Sequence, residues 1–501
     1  MTATSKQTGA PVQKRRSEEA AGVLLIRLIV LALLLGWVAR SWADPDLWGH
    51  VRFGGDIVRS GIPFTDPYSF TSDIPWINHE WLAEVLMYLA WAAGGGAGLI
   101  ALKMIIVGGT LALVIDSIRR ELAPPISDLL VFAALVGLWS RVFVVRPQLF
   151  SIVLFAALLW IFKSAESGKA RRLWLLPILF LFWANLHGGW IVGMGVLLLW
   201  AAIGFTPFAT APLPRGVLAA AVAASLAAGL VSPYGFGLWR FLAETVRPSR
   251  PDVSDWRPLA ETDAQVLVPW AITAVVTLIA LVRSRLRIPL AHLLIVLGLG
   301  VSSIKVNRLD VFFTLSLVML FARYFGGADV QAVPAWTTRT KGVAAAIAMV
   351  LAVLAWRTQP QIACLRLDGP WMPERESGAF IAANALEGRL LTWFDWGQYA
   401  IWHFAPRLKV SLDGRRETVY SDGFVSQHLR LYFNPESALD VLERFRADYA
   451  WLPVNLQLTQ TLDRLGWHRL YTGPVSIVFS RQPATTPAAP VVAARACFPG
   501  P

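Results

Sequence analysis

Charge is scarce in this chain. Only 16% of its 501 residues are Asp, Glu, Lys or Arg, against about 25% in soluble domains, and that excludes a cytosolic enzyme. Cysteine is nearly absent too. Cys364 and Cys497 alone exclude a disulfide scaffold or a cysteine-built metal cluster. Cys497 lies in a Pro/Ala-rich tail, so no pairing of the two is expected. Carboxylates are missing from the centres of the long apolar runs, with Asp116 and Asp128 only at their ends, and there is no internal repeat. What fills the sequence is apolar: 55% hydrophobic residues, with 23 Trp, 26 Phe and 38 Gly, and a mean hydropathy of +0.53. Aromatics mark membrane interfaces, and Gly is tolerated in spans. The chain reads as a polytopic α-helical membrane protein. Its net charge of +12 reads as topology, with no nucleic-acid partner.

Eleven runs suit the crossing of about 30 Å of hydrocarbon at about 1.5 Å per residue. They lie near 21–42, 97–117, 126–144, 147–163, 173–188, 190–206, 216–232, 265–283, 288–304, 309–325 and 342–357, and one short pair fits a re-entrant turn. Basic clusters at Lys14–Arg16, Arg119–Arg120, Lys169–Arg172 and Arg283–Arg287 fall on one side if residues 1–20 are cytoplasmic. The loop near 233–264, with Arg240, Arg247, Arg250 and Arg257, carries charge against that bias. Ser41-Trp42-Ala43 also fits a signal-peptide cleavage site. The apolar stretch before it is longer than such peptides use, so the first helix reads as retained. Residues 21–357 then form the membrane domain, including an outer loop at 44–96, and everything after 357 is outside.

The outer loop reads as an amphipathic helix over 46–59, a turn-rich stretch from Pro63 to Pro75, and a helix from Glu80 to Trp91 lying on the membrane. Residues 358–482 alternate strand-like runs (Arg389–Trp393, Leu408–Leu412, Tyr449–Pro453, Val475–Phe479) with helical stretches near 395–404, 423–432, 436–446 and 455–465. That alternation predicts a small α/β domain. Residues 483–501 read as a disordered tail.

Candidate chemistry clusters on the outer face. Asp44 and Asp46 follow the first span, where a carboxylate serves as a general base or as an oxygen ligand of a divalent cation such as Mg or Mn. For Asp46 the bland alternative is a helix cap. His50, His79 and Glu80 add ionisable groups to the same loop, although nothing in the spacing fixes them as a metal set. Asn185 and His187, followed by two glycines, mark either a lined cavity at membrane depth or an interhelical hydrogen bond. Arg141, Arg146, Lys305, Arg308 and Arg240 stand at outer span ends. They suit a phosphate head group if they converge, and otherwise snorkel. Lys103 and Arg27, the charges inside spans, are also positioned to snorkel. In the outer domain Asp395, Trp396, Tyr399, Asp413, Arg415, Arg416 and Glu417 suit sugar binding, or equally a buried Arg–carboxylate network.

The order of motifs resembles a known family. D-P-D-L-W at 44–48, P-F-T-D-P-Y-S-F-T at 63–71, H-E-W-L at 79–82, R-P-Q-L-F at 146–150, W-A-N-L-H-G-G at 183–189, S-P-Y-G at 232–235, F-D-W-G-Q-Y-A-I-W at 394–402 and D-G-R-R-E at 413–417 are similar to GT-C superfamily membrane glycosyltransferases. These include protein O-mannosyltransferases, the lipid A aminoarabinose transferase and rhizobial lipopolysaccharide transferases. The resemblance implies a polyprenyl-phosphate-linked sugar donor and a lipid, polysaccharide or protein acceptor on the periplasmic face of a bacterial inner membrane. It places the acidic catalytic residue of the first outer loop on Asp44 or Asp46 and the second acidic residue on Glu80. With it, Tyr234, His50, His79, Asn185 and His187 are the expected substrate-cavity residues, and Arg141, Arg146 and Arg240 the expected donor-phosphate contacts. Two other readings compete: a transporter or flippase of envelope glycolipids, and a non-catalytic assembly subunit. A cavity joining Asp44, Glu80 and Arg141 favours the enzyme, and a two-sided central pathway favours transport.

Overall fold

The computed structural model describes residues 38–119, 141–245, 254–283, 287–324, 364–483 (save 368 and 370) and 497–500, with scattered positions elsewhere. The expected spans at 21–42, 126–144 and 342–357 fall wholly or partly outside these residues, as do the basic N-terminus, Arg27, Asp128, Arg247 and Arg250.

A short helix α1 (Leu47–Ser60) and a long α2 (Trp81–Arg119) build the outer loop and the start of the helical body. α3 (Gln148–Glu166), α4 (Leu175–Leu186), α5 (Trp190–Gly204), α6 (Arg215–Ala228), α7 (Phe236–Thr245), α8 (Ala264–Arg283), α9 (Leu290–Lys305) and α10 (Asp310–Leu320) follow. Among the described residues α2 and α3 are long and apolar enough to cross a membrane, and four shorter apolar helices accompany them. Ile105, Phe182, Leu278 and Val301 face outward from these helices at 50–72% exposure, a surface suited to hydrocarbon. The expected helix at 80–91 and the second span are one element. They meet at a kink where Gly95 has φ 56° and ψ −139°, a conformation that costs glycine little. Lys103 does not snorkel: it is fully buried, and its Nζ donates to the carbonyls of Val38 at 2.6 Å and Arg40 at 3.1 Å.

The α/β unit forms around a five-stranded sheet. Its strands are β3 (Gly388–Thr392), β4 (Leu408–Val410), β5 (Tyr449–Pro453), β6 (His468–Thr472) and β7 (Ser476–Ser480), in the order β4-β3-β5-β7-β6. β3 lies parallel to β4 and β5, and β7 runs antiparallel to β5 and β6. β4, β3 and β5 alternate with α12 (Gly397–Phe404), α13 (Asp422–Phe433) and α14 (Leu439–Phe445); α11 (Arg375–Ala383) precedes them and α15 (Gln457–Arg464) follows β5. Four of the five strands and the helices α12–α15 match the expected α/β domain. β6 does not, because its residues are half-buried or exposed and leave no apolar run.

Two seams tie this unit to residues 41–70. β1 (Ser41–Trp42) pairs in parallel with β2 (Leu365–Arg366), and Trp42 N–H donates to the Phe143 carbonyl at 3.2 Å. Tyr68 and Phe70 exchange backbone hydrogen bonds of 3.1 Å with Val410 on the edge strand. Two expectations are corrected here. Cys364 and Cys497 are disulfide-bonded across 133 residues, and the end of the tail is folded. Phe498 is buried, Phe498 N–H donates to the Leu365 carbonyl at 2.9 Å, and the Pro499 carbonyl accepts from Trp48 Nε1 at 2.8 Å. Composition missed this because a few apolar contacts and one crosslink order a segment whose neighbours are Pro and Ala.

Candidate active site

α1 is held between two helices that approach it at glycines. A Cβ on Gly54 would stand 2.0 Å from the Glu84 carbonyl oxygen on α2, and one on Gly49 would stand 1.8 Å from Gln398 Oε1 on α12. This clamp presents Asp46 and His50 to a cavity of about 1480 Å³, which Asp44, Glu80, Arg146 and Arg308 also line. The cavity joins Asp44 and Glu80 as anticipated, with Arg146 rather than Arg141 as their cationic neighbour.

The carboxylates differ in state. Asp44 is buried and ion-paired through Oδ2 to Arg146 Nε, while its buried Oδ1 has no hydrogen-bond partner. Asp46 occupies the N-cap position of α1, but its side chain makes no capping hydrogen bond, so the bland reading fails. Burial pushes its carboxyl up to about 6; Asp395, Glu80 and Asp413 add to the rise and His50 opposes it. Glu80 goes the other way. Burial raises it, but His79 at 3.4 Å, His187 at 3.6 Å and His50 together hold it well below the usual carboxylate range.

The histidines are braced from behind. His50 Nδ1 donates to Glu84 Oε1 at 3.2 Å, and Asn78 Nδ2 donates to Glu84 Oε2 at 2.5 Å. Asn78 Oδ1 in turn accepts the Glu80 N–H at 3.2 Å. His187 Nδ1 accepts from Gly189 N–H at 3.0 Å and lies 2.6 Å from Ser151 Oγ. His187 therefore makes the interhelical bond and lines the cavity as well.

The arginines divide. Arg146 reaches both Asp44 and Asp255, and its side chain stays 30% exposed. Arg308 lines the cavity, 3.4 Å from His187 and over the Trp256 ring. Arg141 is buried and fully engaged by Asp255 at 2.7 Å, Asn307 at 2.6 Å and Asp310 at 3.2 Å. It belongs to a structural network and does not line the cavity. Arg240 is 77% exposed, pairs with Glu244 at 3.8 Å among the described residues, and also lies outside the cavity. Asp255 links the two groups. Burial raises its carboxyl, but Arg141 and Arg146 bring it down to about 2.

Other expected site residues are placed elsewhere. Asn185 accepts from Trp81 Nε1 at 2.8 Å and donates to the Leu181 and Val231 carbonyls. The Tyr234 hydroxyl accepts the Asn78 N–H at 3.0 Å. Both brace the loop around Glu80 from outside the cavity. Trp396 and Tyr399 are core residues, fully buried beside Trp451. Asp413 and Arg415 form the Arg–carboxylate network, joined by Asp66 and Tyr420. Asp395, Arg416 and Glu417 do line the cavity, as does Arg415 at its edge. Sequence reasoning passed over Asp255 and Glu84, and it noted Arg308 only as one basic residue among several. The one available signal for Asp255 was its place in the loop that keeps charge against the topology bias. Among the described residues no three His, Cys, Asp or Glu side chains converge to hold a metal ion.

Carboxylates and arginines lining one cavity let it remove a proton and stabilise a developing anion. No protein-family model matches the chain, and no curated protein does. Solved structures do match. The apo Archaeoglobus fulgidus oligosaccharyltransferase aligns over 87% of this chain and 69% of its own, at 12% identity and a TM-score of 0.57. ArnT from Cupriavidus metallidurans aligns over 92% and 98%, at 12% identity and a TM-score of 0.55. The chain has a GT-C-like fold. The mycobacterial arabinofuranosyltransferase AftD adds a third match, over 93% of this chain and 41% of that one, at 13% identity and a TM-score of 0.51. At such identities the match establishes fold alone.

Proposed function

We propose that this GT-C-like protein moves a sugar from a polyprenyl-phosphate-linked donor to a cell-envelope acceptor on the periplasmic face of the inner membrane. The observation that carries the reading is the shared cavity, which Asp44, Asp46, Glu80, Arg146 and Arg308 all line, with Trp42, Trp76 and Trp393 among its walls. Similar solved structures support the donor class. One is the archaeal oligosaccharyltransferase AglB in complex with an inhibitory peptide and a dolichol-phosphate, at 11% identity and a TM-score of 0.54 over 88% of this chain and 70% of that one. The Cys364–Cys497 disulfide supports an oxidising, external location for the α/β domain.

In this reading the acceptor hydroxyl loses its proton to Asp46, whose raised affinity for protons makes it the stronger base. Its oxygen attacks the anomeric carbon, and the bond from that carbon to the phosphate oxygen breaks with inversion. Polyprenyl phosphate leaves against Arg146 and Arg308. Asp44, tied to Arg146, holds the arginine in place rather than taking the proton. The test is release of polyprenyl phosphate from labelled lipid-linked sugars by purified protein in liposomes, alongside comparison of envelope glycans with and without the gene. Movement of an intact lipid-linked sugar across the bilayer with no release would sink the transferase reading.

A further inference from the structure

Glu84 is buried on α2, near the point where Gly54 brings α1 into contact. Its two carboxylate oxygens are both engaged, one by His50 and one by Asn78. With Nδ1 committed to Glu84, His50 leaves its other ring nitrogen, Nε2, to the cavity that it lines. His50 also follows Asp46 by four residues on α1, and its N–H donates to the Asp46 carbonyl at 3.0 Å. Residues at that spacing share one helix face. Glu84 thus holds His50 from the buried side, and Asp46 and His50 line the same cavity one helical turn apart.

We propose that Glu84 is a positioning residue that holds His50 near Asp46, so that a cationic His50 keeps the Asp46 carboxylate ready to take the proton lost by the acceptor hydroxyl. This rests on the transferase reading above. In the step, the acceptor O–H bond breaks and its proton passes to a carboxylate oxygen of Asp46. The oxygen bonds to the anomeric carbon, and the electron pair of the old glycosyl bond leaves on the phosphate oxygen. The groups facing His50 are Glu84 from α2, Glu80 from the loop before it and Asp46 from its own helix. Burial disfavours the imidazolium, yet these three carboxylates raise its proton affinity above the ordinary histidine value. A cationic His50 in turn favours the ionised form of Asp46.

The test is Glu84→Gln, which keeps shape and an accepting oxygen but removes the charge. The chain has only seven histidines, so ¹⁵N-histidine spectra of the full protein in detergent resolve His50 by comparison with His50→Asn. In E84Q the His50 titration should move to lower pH. The acid limb of kcat should move to higher pH, and kcat near pH 6–7 should fall about tenfold, short of the roughly 10²–10⁴-fold that loss of a base costs, with KM held. In an H50N background, E84Q should cost no further activity, because coupled residues are non-additive. An unshifted His50 titration, or E84Q and H50N effects that simply add, would overturn the proposal. If E84Q does not fold, H50N decides: its acid limb must move up, and an unmoved limb overturns the idea. Absence of any transfer by the parent protein would count against the transferase reading instead, while the histidine titration still tests the Glu84–His50 coupling.

Discussion

Arg415 and Asp66 form a two-armed ion pair, 2.6 and 3.0 Å, across the seam between the α/β domain and the outer loop. The other edge of the same guanidinium takes Asp413 at 2.8 and 2.7 Å, and the rings of Phe53, Tyr68 and Trp76 surround it at 4.8–5.3 Å. Arg suits this place because its planar fork serves two carboxylates while its faces stack on aromatics. The pair fixes the loop that carries His79 and Glu80 against the domain that supplies Asp395 and Glu417.

Arg415→Met should therefore leave Asp66 and Asp413 buried without a counter-charge. Breaking a buried pair in this way costs roughly 3–5 kcal/mol. The expected outcome is a clear drop in thermal unfolding temperature in detergent, with protease cleavage appearing between residues 61 and 76. An unfolding profile matching the parent would mean that the seam is held by packing alone.

The disulfide makes a second claim on stability. Its 133-residue separation restricts the unfolded chain strongly, and native disulfides contribute about 2–5 kcal/mol. It also holds Phe498 and Pro499 against α1 and α12. Replacing both cysteines by Ser should lower the unfolding temperature and loosen residues 497–500. The oxidised parent should change gel mobility on reduction and the double variant should not. Equal mobility of the parent with and without reductant would count against the pairing in the cell.

How much of this was legible in the sequence varies with the kind of interaction. Strands such as Tyr449–Pro453 and helices such as Asp422–Phe433 carry short apolar runs or helical spacing that a linear reading catches. Asp44, Asp46, His50 and Glu80 were found because ionisable groups at a membrane boundary stand out. Position along the chain did not separate Arg146 from Arg141 and Arg240, since all three sit at outer span ends and only three-dimensional partners tell them apart. Asp255 and Glu84 were illegible for the same reason. Each is an ordinary acidic residue until folding brings Arg141 and Arg146, or His50 and Asn78, around it.

The state of Asp46 sets a pH dependence. A base must be ionised to act, so with its carboxyl raised to about 6 turnover should fall as pH drops through about 6, not through the ordinary carboxylate range near 4. For stability the sign is opposite to that of a salt-bridged aspartate. Between the unfolded value and about 6 the folded chain binds more protons, so the Asp46 contribution weakens as pH rises through that window. Asp46→Asn should cost about 10²–10⁴-fold in kcat and flatten that part of the stability profile. Rates and unfolding temperatures measured from pH 4.5 to 8 check both. A D46N protein with near-normal turnover would move the base to Asp44 or Glu80.

The arginines permit the sharpest separation, because one expected donor contact now serves as a control. Arg146 is 30% exposed at the cavity wall and already pairs with Asp44 and Asp255, so it has both an open edge and a fixed direction. Arg308 faces the same cavity. A phosphate arriving there meets guanidinium groups whose bidentate fork a lysine does not reproduce. Charge-assisted bonds of this kind contribute about 1.5–3 kcal/mol each, and about 1.4 kcal/mol is tenfold in affinity. Arg146→Lys and Arg308→Lys should each weaken donor use about tenfold or more and leave the acceptor dependence unchanged. Arg240→Lys, at an exposed position paired with Glu244, should behave as the parent. Titrating the donor against all three variants decides the matter. Equal donor dependence in R146K, R308K and R240K would remove the phosphate from this part of the cavity and make Arg146 a structural partner of Asp44 and Asp255.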